Sequence, residues 1–435
     1  MRRSRPARIV QSLVAFALSL AGVAVVAEMT GARWGLYGVF GLGYLSMKLL
    51  LATAYRAFRH PVPDLSVAVV VPVYNEDPAA FAGCLDSILA QSVPVDEIWV
   101  IDDGSTDTTC VEFAARVLEG RPGAVVHAMP RNVGKRHAQE WALRQTRAAI
   151  VCTVDSDTKL DADAVREGLR PFADTRVTAV CGNVRVLNAA TNLLTRLTEL
   201  RYANAFLWER AAYSTLGSVV CCCGSLSFWR RDVIDENLDD YVNQTFLGVP
   251  VPYGDDRRLT NYSLLAGRVV FQSTSIAWTA VPERFSHFVR QQTRWNRSFF
   301  RESLWAIKNH GRLQAVWWLT GAEIGLWSAC LVSAVAAHAV RPAMTGRFAV
   351  GILAFGVLMA YARSVRYLGS EDRSVRHQLH TFALAPLYTL LSLLVLFPLR
   401  LIALATLRSE SWGTRSEVEV TMDAHATLAG AGAGV

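Results

Sequence analysis

The chain contains no C-x-x-C pair, and its eight cysteines are scattered or bunched as the run CCC at residues 221–223. That usage excludes a disulfide framework and a paired-thiolate zinc site, and it fits a reducing compartment. No G-x-x-x-x-G-K-[ST] motif occurs, which argues against a P-loop kinase or ATPase. Histidine is scarce, at nine residues. His377 and His380 share a helical face, but they flank an apolar run, where such a pair is ordinarily solvated. The net charge of +7 fits flanks that face anionic phospholipid, and it calls for no nucleic acid.

Charge is also missing from long stretches. Hydrophobic residues make up 52% of the 435, unevenly spread. Residues 9–27 (IVQSLVAFALSLAGVAVVA) and 35–54 (GLYGVFGLGYLSMKLLLATA) hold a single charge between them, Lys48. Each is long enough to cross a hydrocarbon core of about 30 Å as a helix. The pattern returns at residues 313–340, 348–362 and 380–407. The start, MRRSRPAR, with VVA before Glu28, has the form of a cleaved leader. A second spanning run follows at once, so the first is read as an anchor.

The basic start lies in the cytoplasm by the positive-inside rule, and two crossings return the chain there. Arg363, Arg366, Arg373 and Arg376 mark another cytoplasmic loop. Pro386, Pro398 and Arg400 interrupt 380–407, which reads as re-entrant or interfacial. The expectation is a multi-pass plasma-membrane protein with four crossings and both termini cytoplasmic. Its parts are a hairpin at 1–60, a cytoplasmic polar domain with interfacial helices at 61–310, and a second apolar region at 311–408. The Ala/Gly-rich residues 419–435 read as a disordered tail. Glu323, alone in the third span, would be costly against lipid and reads as lining a polar path.

Within the polar domain, runs rich in valine and isoleucine alternate with helical stretches. Strands are expected at residues 67–74, 97–103, 124–129 and 149–157. Helices are expected at 78–91, from about Thr106 to Leu118 with Ser105 or Thr106 as cap, and from near Gly134. Apolar strands without in/out alternation imply a parallel sheet covered on both faces, hence an α/β fold. Two further stretches, 192–213 and 285–309, are amphipathic at helical spacing, suited to a core face or to the inner leaflet.

Acidic residues fall where such a sheet binds ligands. Glu76 and Asp77 follow the first strand, Asp102 and Asp103 end the second, and Asp155 and Asp157 end the fourth. Open α/β sheets bind ligands outside the carboxyl ends of their strands. Carboxylates converging there repel unless a cation is present. Helix capping explains Asp107 and Asp161 more readily than these three pairs. With no Cys or His pair nearby, oxygen ligands favour Mg²⁺ or Mn²⁺, which bind through one or two carboxylates plus substrate phosphates. A diphosphate joined to another group is the substrate class this implies.

Six strings occur in a recognisable order: VVVPVYNED, DDGSTD, NVGKRHAQ, VDSDT, GDDRRLTNYSLL and QQTRW. In that order they resemble the processive family 2 glycosyltransferases. TNLLTRLTELRYANAFLWERAA, NQTFLGVPVPYGDDRRLTNY, QQTRWNRSFFRES and WGTR are similar to the bacterial hyaluronan synthases of the streptococcal type. The resemblance covers about residues 67–415 and implies a GT-A-like, Rossmann-like catalytic domain inserted between transmembrane helices.

It also implies roles. Asp256 is the base of an inverting transfer. Asp157, with Asp155, holds the metal. Tyr74, Glu76 and Asp103 contact uridine, and Lys135 and Asp255 belong to the donor site. Gln291, Arg294 and Trp295 form the acceptor and pyrophosphate platform. Trp412 and Arg415, in a gating loop at 409–418, close over UDP. The substrates implied are UDP-GlcNAc and UDP-GlcA, with the nascent polysaccharide as acceptor, and the oligomeric state is left open. The cysteine run before GSLSFWRR resembles instead the nodulation chitooligosaccharide synthases, and Ser225 stands where both families often show proline. Two other readings therefore stay open: a chitin-type synthase using UDP-GlcNAc alone, and an export protein that only binds nucleotide sugar.

Overall fold

The computed structural model describes residues 5–30, 35–340, 345–370 and 372–409. Two long apolar helices come first, α1 (Arg5–Thr30) and α2 (Gly35–Ala54). The expected alternation follows: β1 (Val67–Val73), α3 (Pro78–Leu89), β2 (Glu97–Asp102), α4 (Thr109–Leu118), β3 (Ala124–Ala128), α5 (Lys135–Leu143) and β4 (Ile150–Thr153). Helix α4 starts later than Ser105 or Thr106 would have it. Both residues are committed elsewhere: Ser105 Oγ accepts from the Asn75 N–H, and the Thr106 N–H donates to Asn75 Oδ1.

Next come β5 (Thr158–Leu160), α6 (Ala164–Leu169), β6 (Val177–Val186), α7 (Leu193–Asn204), α8 (Ala211–Thr215) and β7 (Ser227–Arg230). Then follow α9 (Arg231–Val242), the short β8 (Thr245–Phe246) and β9 (Val249–Pro250), α10 (Asp255–Ala266) and β10 (Arg268–Thr279). The chain continues as α11 (Phe285–Asn309), α12 (Ala315–Val340), α13 (Thr345–Ser364), α14 (Val375–Ala383), α15 (Ala385–Leu391) and α16 (Phe397–Ala405).

The chain forms two compact units. Among the described residues, one comprises Ala57–Thr195, Val219–Glu302 and 402–409; the other comprises those up to Arg56, Arg196–Ser218 and those between Ser303 and Leu401. Residues 196–218, expected within the polar domain, thus group with the apolar helices. Leu197, Leu200 and Phe206 are buried there, so this amphipathic stretch uses its apolar face as core.

The first unit is built on an eight-stranded sheet of order β3-β2-β1-β4-β7-β6-β10-β5. The strands β3, β2, β1 and β4 run parallel, as expected. The sheet as a whole is mixed, a correction to the all-parallel expectation: β7 is antiparallel to β4 and β6, and β5 to β10. The later strands escaped the periodicity argument because buried polar residues interrupt them. In β10, Gln272 exchanges hydrogen bonds with the Phe58 backbone and Ser275 Oγ donates to the Ala164 carbonyl. From β1 the chain builds outward to β2 and β3 and then places β4 on the other side. The topological switch point lies between β1 and β4, so the crevice opens beside Glu76 and Asp155.

In the second unit, the lone charges of the apolar runs find partners. Lys48 Nζ lies 3.4 Å from Glu323 Oε1 and 3.8 Å from Glu209 Oε1. Tyr213 donates its hydroxyl to Glu323, and Arg363 pairs with Glu209 at 2.8 Å. Glu323, read as alone, is therefore paired. His377, read as solvated, has Nε2 2.7 Å from Glu199, a carboxylate it shares with Arg373.

Among the described residues, Ala7–Val25, Ala349–Tyr367 and Ala385–Ala405 are helical, long and apolar enough to cross a bilayer. The last was read as interrupted. Pro386 instead sits in the first turn of α15, where a missing N–H goes unneeded, and Pro398 is accommodated within the continuous helical run that leads into α16. A π-turn over Ser392–Leu396 joins the two.

Close packing of the sheet against α6 generates one stability test. A Cβ on Gly168 would stand 2.2 Å from the ring of Phe228, which is fully buried. Gly168→Ala should cost about 1–3 kcal/mol by overpacking, read as a lowered Tm, and adding Phe228→Leu should recover part of it. An unchanged Tm in the single variant would show that the ring moves freely.

Candidate active site

The strand ends are stitched together before any ligand is considered. Past β1, Tyr74 is half-buried and Asn75 takes a positive φ of 43°. The Glu76 carboxylate is buried and accepts a hydrogen bond from Ser156 Oγ at 2.7 Å, tying the end of β1 to VDSDT. Asp77 caps α3, accepting from the Ala80 N–H. At the end of β2, Asp102 accepts from the Ser105 N–H.

Asp103 is buried and engages the loop before α5. It accepts from Asn132 Nδ2 at 3.1 Å, the Val133 N–H at 2.8 Å and the Gly134 N–H at 2.9 Å. Burial raises its pKa, and the two backbone N–H groups oppose that rise. The expectation of a uridine contact thus meets a carboxylate occupied in shaping the 132–134 loop.

That loop delivers Lys135. Gly134 caps α5 with φ 97°, a conformation that favours glycine, and Lys135 opens the helix. Its Nζ lies 2.6 Å from Asp155 Oδ1 and 3.4 Å from Asp255 Oδ2. One ammonium therefore links the end of β4 to the start of α10. Burial disfavours its charge, but Asp155, Asp255 and Asp256 outweigh that and raise its pKa above the ordinary lysine value. The CCCGS loop closes over the same group. A Cβ on Gly224 would come within 3.0 Å of Lys135 Nζ and 3.2 Å of both Asp155 oxygens. Ser225 Oγ donates to Asp155 Oδ2 at 3.0 Å. Ser225 entered the sequence reading only as a departure from proline; its hydroxyl is part of the site.

Asp157 accepts from Thr158 Oγ1 at 3.2 Å and Thr279 Oγ1 at 3.3 Å. Among the described residues, no three His, Cys, Asp or Glu converge as a metal cage. The donor set fits a hard divalent ion nonetheless. Mg²⁺ is ordinarily held by one or two carboxylates and completes its shell from water and substrate phosphate. Asp155 and Asp157 would be its protein ligands.

Asp255 and Asp256 occupy the first turn of α10, behind Gly254 at φ 93°. Asp256 Oδ1 accepts from the Arg257 N–H at 2.7 Å. Burial first and the like charge of Asp255 second push its pKa up to about 6. A carboxylate so placed is ionised at neutral pH yet basic enough to take a proton. Gln291, Arg294 and Trp295 are half-buried on α11. That helix meets α10 through Ser298, Phe299 and Glu302, of which Glu302 went unread at the sequence level. Trp412 and Arg415 lie outside the described residues.

A base with a pKa near 6 has a kinetic signature. With Asp256 in the expected role of base, only its ionised form accepts a proton, so kcat should be half-maximal near pH ~6 and fall about tenfold per unit well below it. The check is a pH–rate profile at saturating donor. A profile that stays flat down to about pH 4.5, near the ordinary carboxylate range, would remove Asp256 from the role.

Residues 68–238 match the family model for glycosyl transferase family 2. Hyaluronan synthase from Streptococcus pyogenes is 41% identical over 395 residues, covering 89% of this chain and 92% of its own. An N-acetylglucosaminyltransferase from Rhizobium sp. (strain N33) is 35% identical over 361 residues, covering 80% and 77%. Among solved structures, a mannosyltransferase from Pyrobaculum calidifontis aligns with TM-score 0.57 at 21% identity, covering 91% of this chain and 99% of its own. That structure, solved with GDP-Man and Mn²⁺, shares the GT-A-like fold. The chain is a membrane protein and a hexosyltransferase, and it belongs to glycosyl transferase family 2 and, within it, to the hyaluronan synthases.

Proposed function

We propose that the protein is a processive, inverting synthase that makes hyaluronan by adding GlcNAc and GlcA alternately from their UDP-sugars. The observation that carries this reading is the extent of the likeness to hyaluronan synthase. It spans 89% of the chain and so takes in apolar helices as well as the catalytic sheet.

In this reading the acceptor hydroxyl attacks the anomeric carbon of the donor. Its proton passes to Asp256, the new glycosidic bond forms with inversion, and the bond to the UDP oxygen breaks. Lys135 offsets charge on the diphosphate, and the loop held by Asp103, together with Tyr74 and Glu76, shapes the uridine cradle. Gln291, Arg294 and Trp295 hold the acceptor, the indole by packing on a sugar face. Trp412 and Arg415 cover the UDP. Bound Mg²⁺ or Mn²⁺, held by Asp157 and Asp155, would neutralise charge developing on the departing UDP. The polymer then leaves through the helices of the same chain, with the catalytic domain and both termini on the cytoplasmic side and about four crossings.

Donor omission tests the product. Purified protein should make polymer only when UDP-GlcNAc and UDP-GlcA are both present. Polymer from UDP-GlcNAc alone would establish the chitin-type reading, to which the Rhizobium relative at 35% identity points. No UDP release with any donor would leave an export protein that binds nucleotide sugar.

The metal is tested separately. Asp157→Asn should abolish turnover and weaken UDP binding in Mg²⁺ or Mn²⁺ while leaving metal-free UDP binding near its starting value. Equal UDP affinity with and without metal in the unaltered protein would contradict the assignment.

A further inference from the structure

Helix α11 carries the proposed acceptor platform, and α10 carries the proposed base. Their junction contains a buried carboxylate with no part in the chemistry described so far. Glu302 is only 3% exposed, and Arg258, Gln244 and Asn261 around it are nearly as buried. Arg258 donates through Nε to Glu302 Oε2 at 2.9 Å and through Nη2 to Oε1 at 3.2 Å. Gln244 Nε2 donates to Oε1 at 2.5 Å, and Asn261 Nδ2 to Oε2 at 3.1 Å. Both carboxylate oxygens are thus engaged, by a two-point guanidinium fork and two side-chain amides.

The positions of these groups give the cluster its meaning. Arg258 lies two residues after Asp256 on α10, and Asn261 one turn further along. Gln244 precedes β8, in the segment that leads to Gly254. On α11, Gln291, Trp295, Ser298 and Glu302 are spaced by four, three and four residues, so they share one helical face. Ser298, one turn before Glu302, is wedged against the turn that opens α10. A Cβ on Gly254 would come within 2.5 Å of Ser298 Oγ. Arg257, beside the base, has its guanidinium 5.5 Å from the Phe299 ring centre. The face of α11 that bears the platform residues is therefore clamped onto the first turn of the helix that bears Asp256.

We propose that Glu302 is a positioning residue that keeps the acceptor-holding face of α11 in register with the base on α10. The inference rests on the reading of Asp256 as base and of Gln291 and Trp295 as acceptor platform. A buried ion pair is a poor source of net stability, because desolvation offsets most of the attraction. Its directional fork does fix the phase of one helix against another. Attack on the anomeric carbon needs that phase, since a misplacement of about 1 Å costs on the order of 10²-fold in rate.

The test uses two variants of the full chain that keep both charges. Glu302→Asp shortens the reach by one bond, and Arg258→Lys keeps the cation but loses the fork. UDP released and sugar incorporated are measured together, with UDP affinity and Tm alongside. Water is a small acceptor that needs no platform, so donor hydrolysis should persist. Polymer synthesis should fall on the order of 10²-fold in both variants at unchanged UDP affinity, so that UDP released per sugar incorporated rises. A purely structural clamp would lower hydrolysis and synthesis in step with the folded fraction, leaving that ratio constant, and that result would overturn the proposal. Asp256→Asn serves as the reference. Were it to keep full synthesis, the base reading would fall, whereas a constant ratio in the Glu302 and Arg258 variants defeats the positioning role alone.

Discussion

The catalytic unit depends on how one ammonium is placed among carboxylates. Lys135 stands between Asp155 at the end of β4 and Asp255 at the start of α10, and without it those carboxylates would face one another across a half-buried crevice. Much of the nearby structure serves that placement. Asp103 gathers the N–H groups of the 132–134 loop, and Gly134 turns the chain at positive φ so that α5 begins on the lysine. Gly224 lets a further loop approach closely enough that a Cβ there would crowd the Lys135 and Asp155 side-chain ends, bringing Ser225 onto the second oxygen of Asp155. The outcome is a crevice in which one ammonium links carboxylates from two segments, the grouping that the proposed divalent ion and diphosphate would use.

The parts of this fold that were legible in the sequence are those with a short-range signature. Valine-rich runs separated by helical stretches located β1 to β4 and the carboxylates at their ends. The strands from β5 onward were not legible, since their interiors contain polar residues such as Gln272 and Ser275 that satisfy neighbouring backbone groups. Site residues divide in the same way. Asp155, Asp157 and Asp256 stand in compact motifs, and their neighbourhood was readable. The meeting of Lys135 with both Asp155 and Asp255 joins distant segments, and only the folded chain displays it. Asp103 was visible as an acid at a strand end, but nothing local distinguished a ligand contact from a loop anchor.

The apolar unit solves a related problem in a medium that tolerates charge less. Lys48 and Glu323 each looked isolated within a hydrophobic run, and each is costly in that setting. The fold offsets the cost by bringing them to 3.4 Å and adding Tyr213, Glu209 and Arg363 to the same set. Sequence distance hid this pairing as thoroughly as it hid the lysine bridge. In both units, the residues that looked anomalous one at a time are partners of each other.

The Lys135 ammonium acts on the electrostatics of the whole site, Asp256, the proposed base, included. Burial and Asp255 raise the Asp256 pKa, and the positive charges of Arg257 and then Lys135 oppose that rise. The most direct measurement is the acidic limb of the pH–rate profile in Lys135→Met, compared with the unaltered protein. Loss of the ammonium should move that limb to higher pH, above about 6, so that residual activity recovers only on the alkaline side. A limb that stays in place would mean that Lys135 does not act on Asp256 and that its bridge to Asp155 and Asp255 does not organise the site.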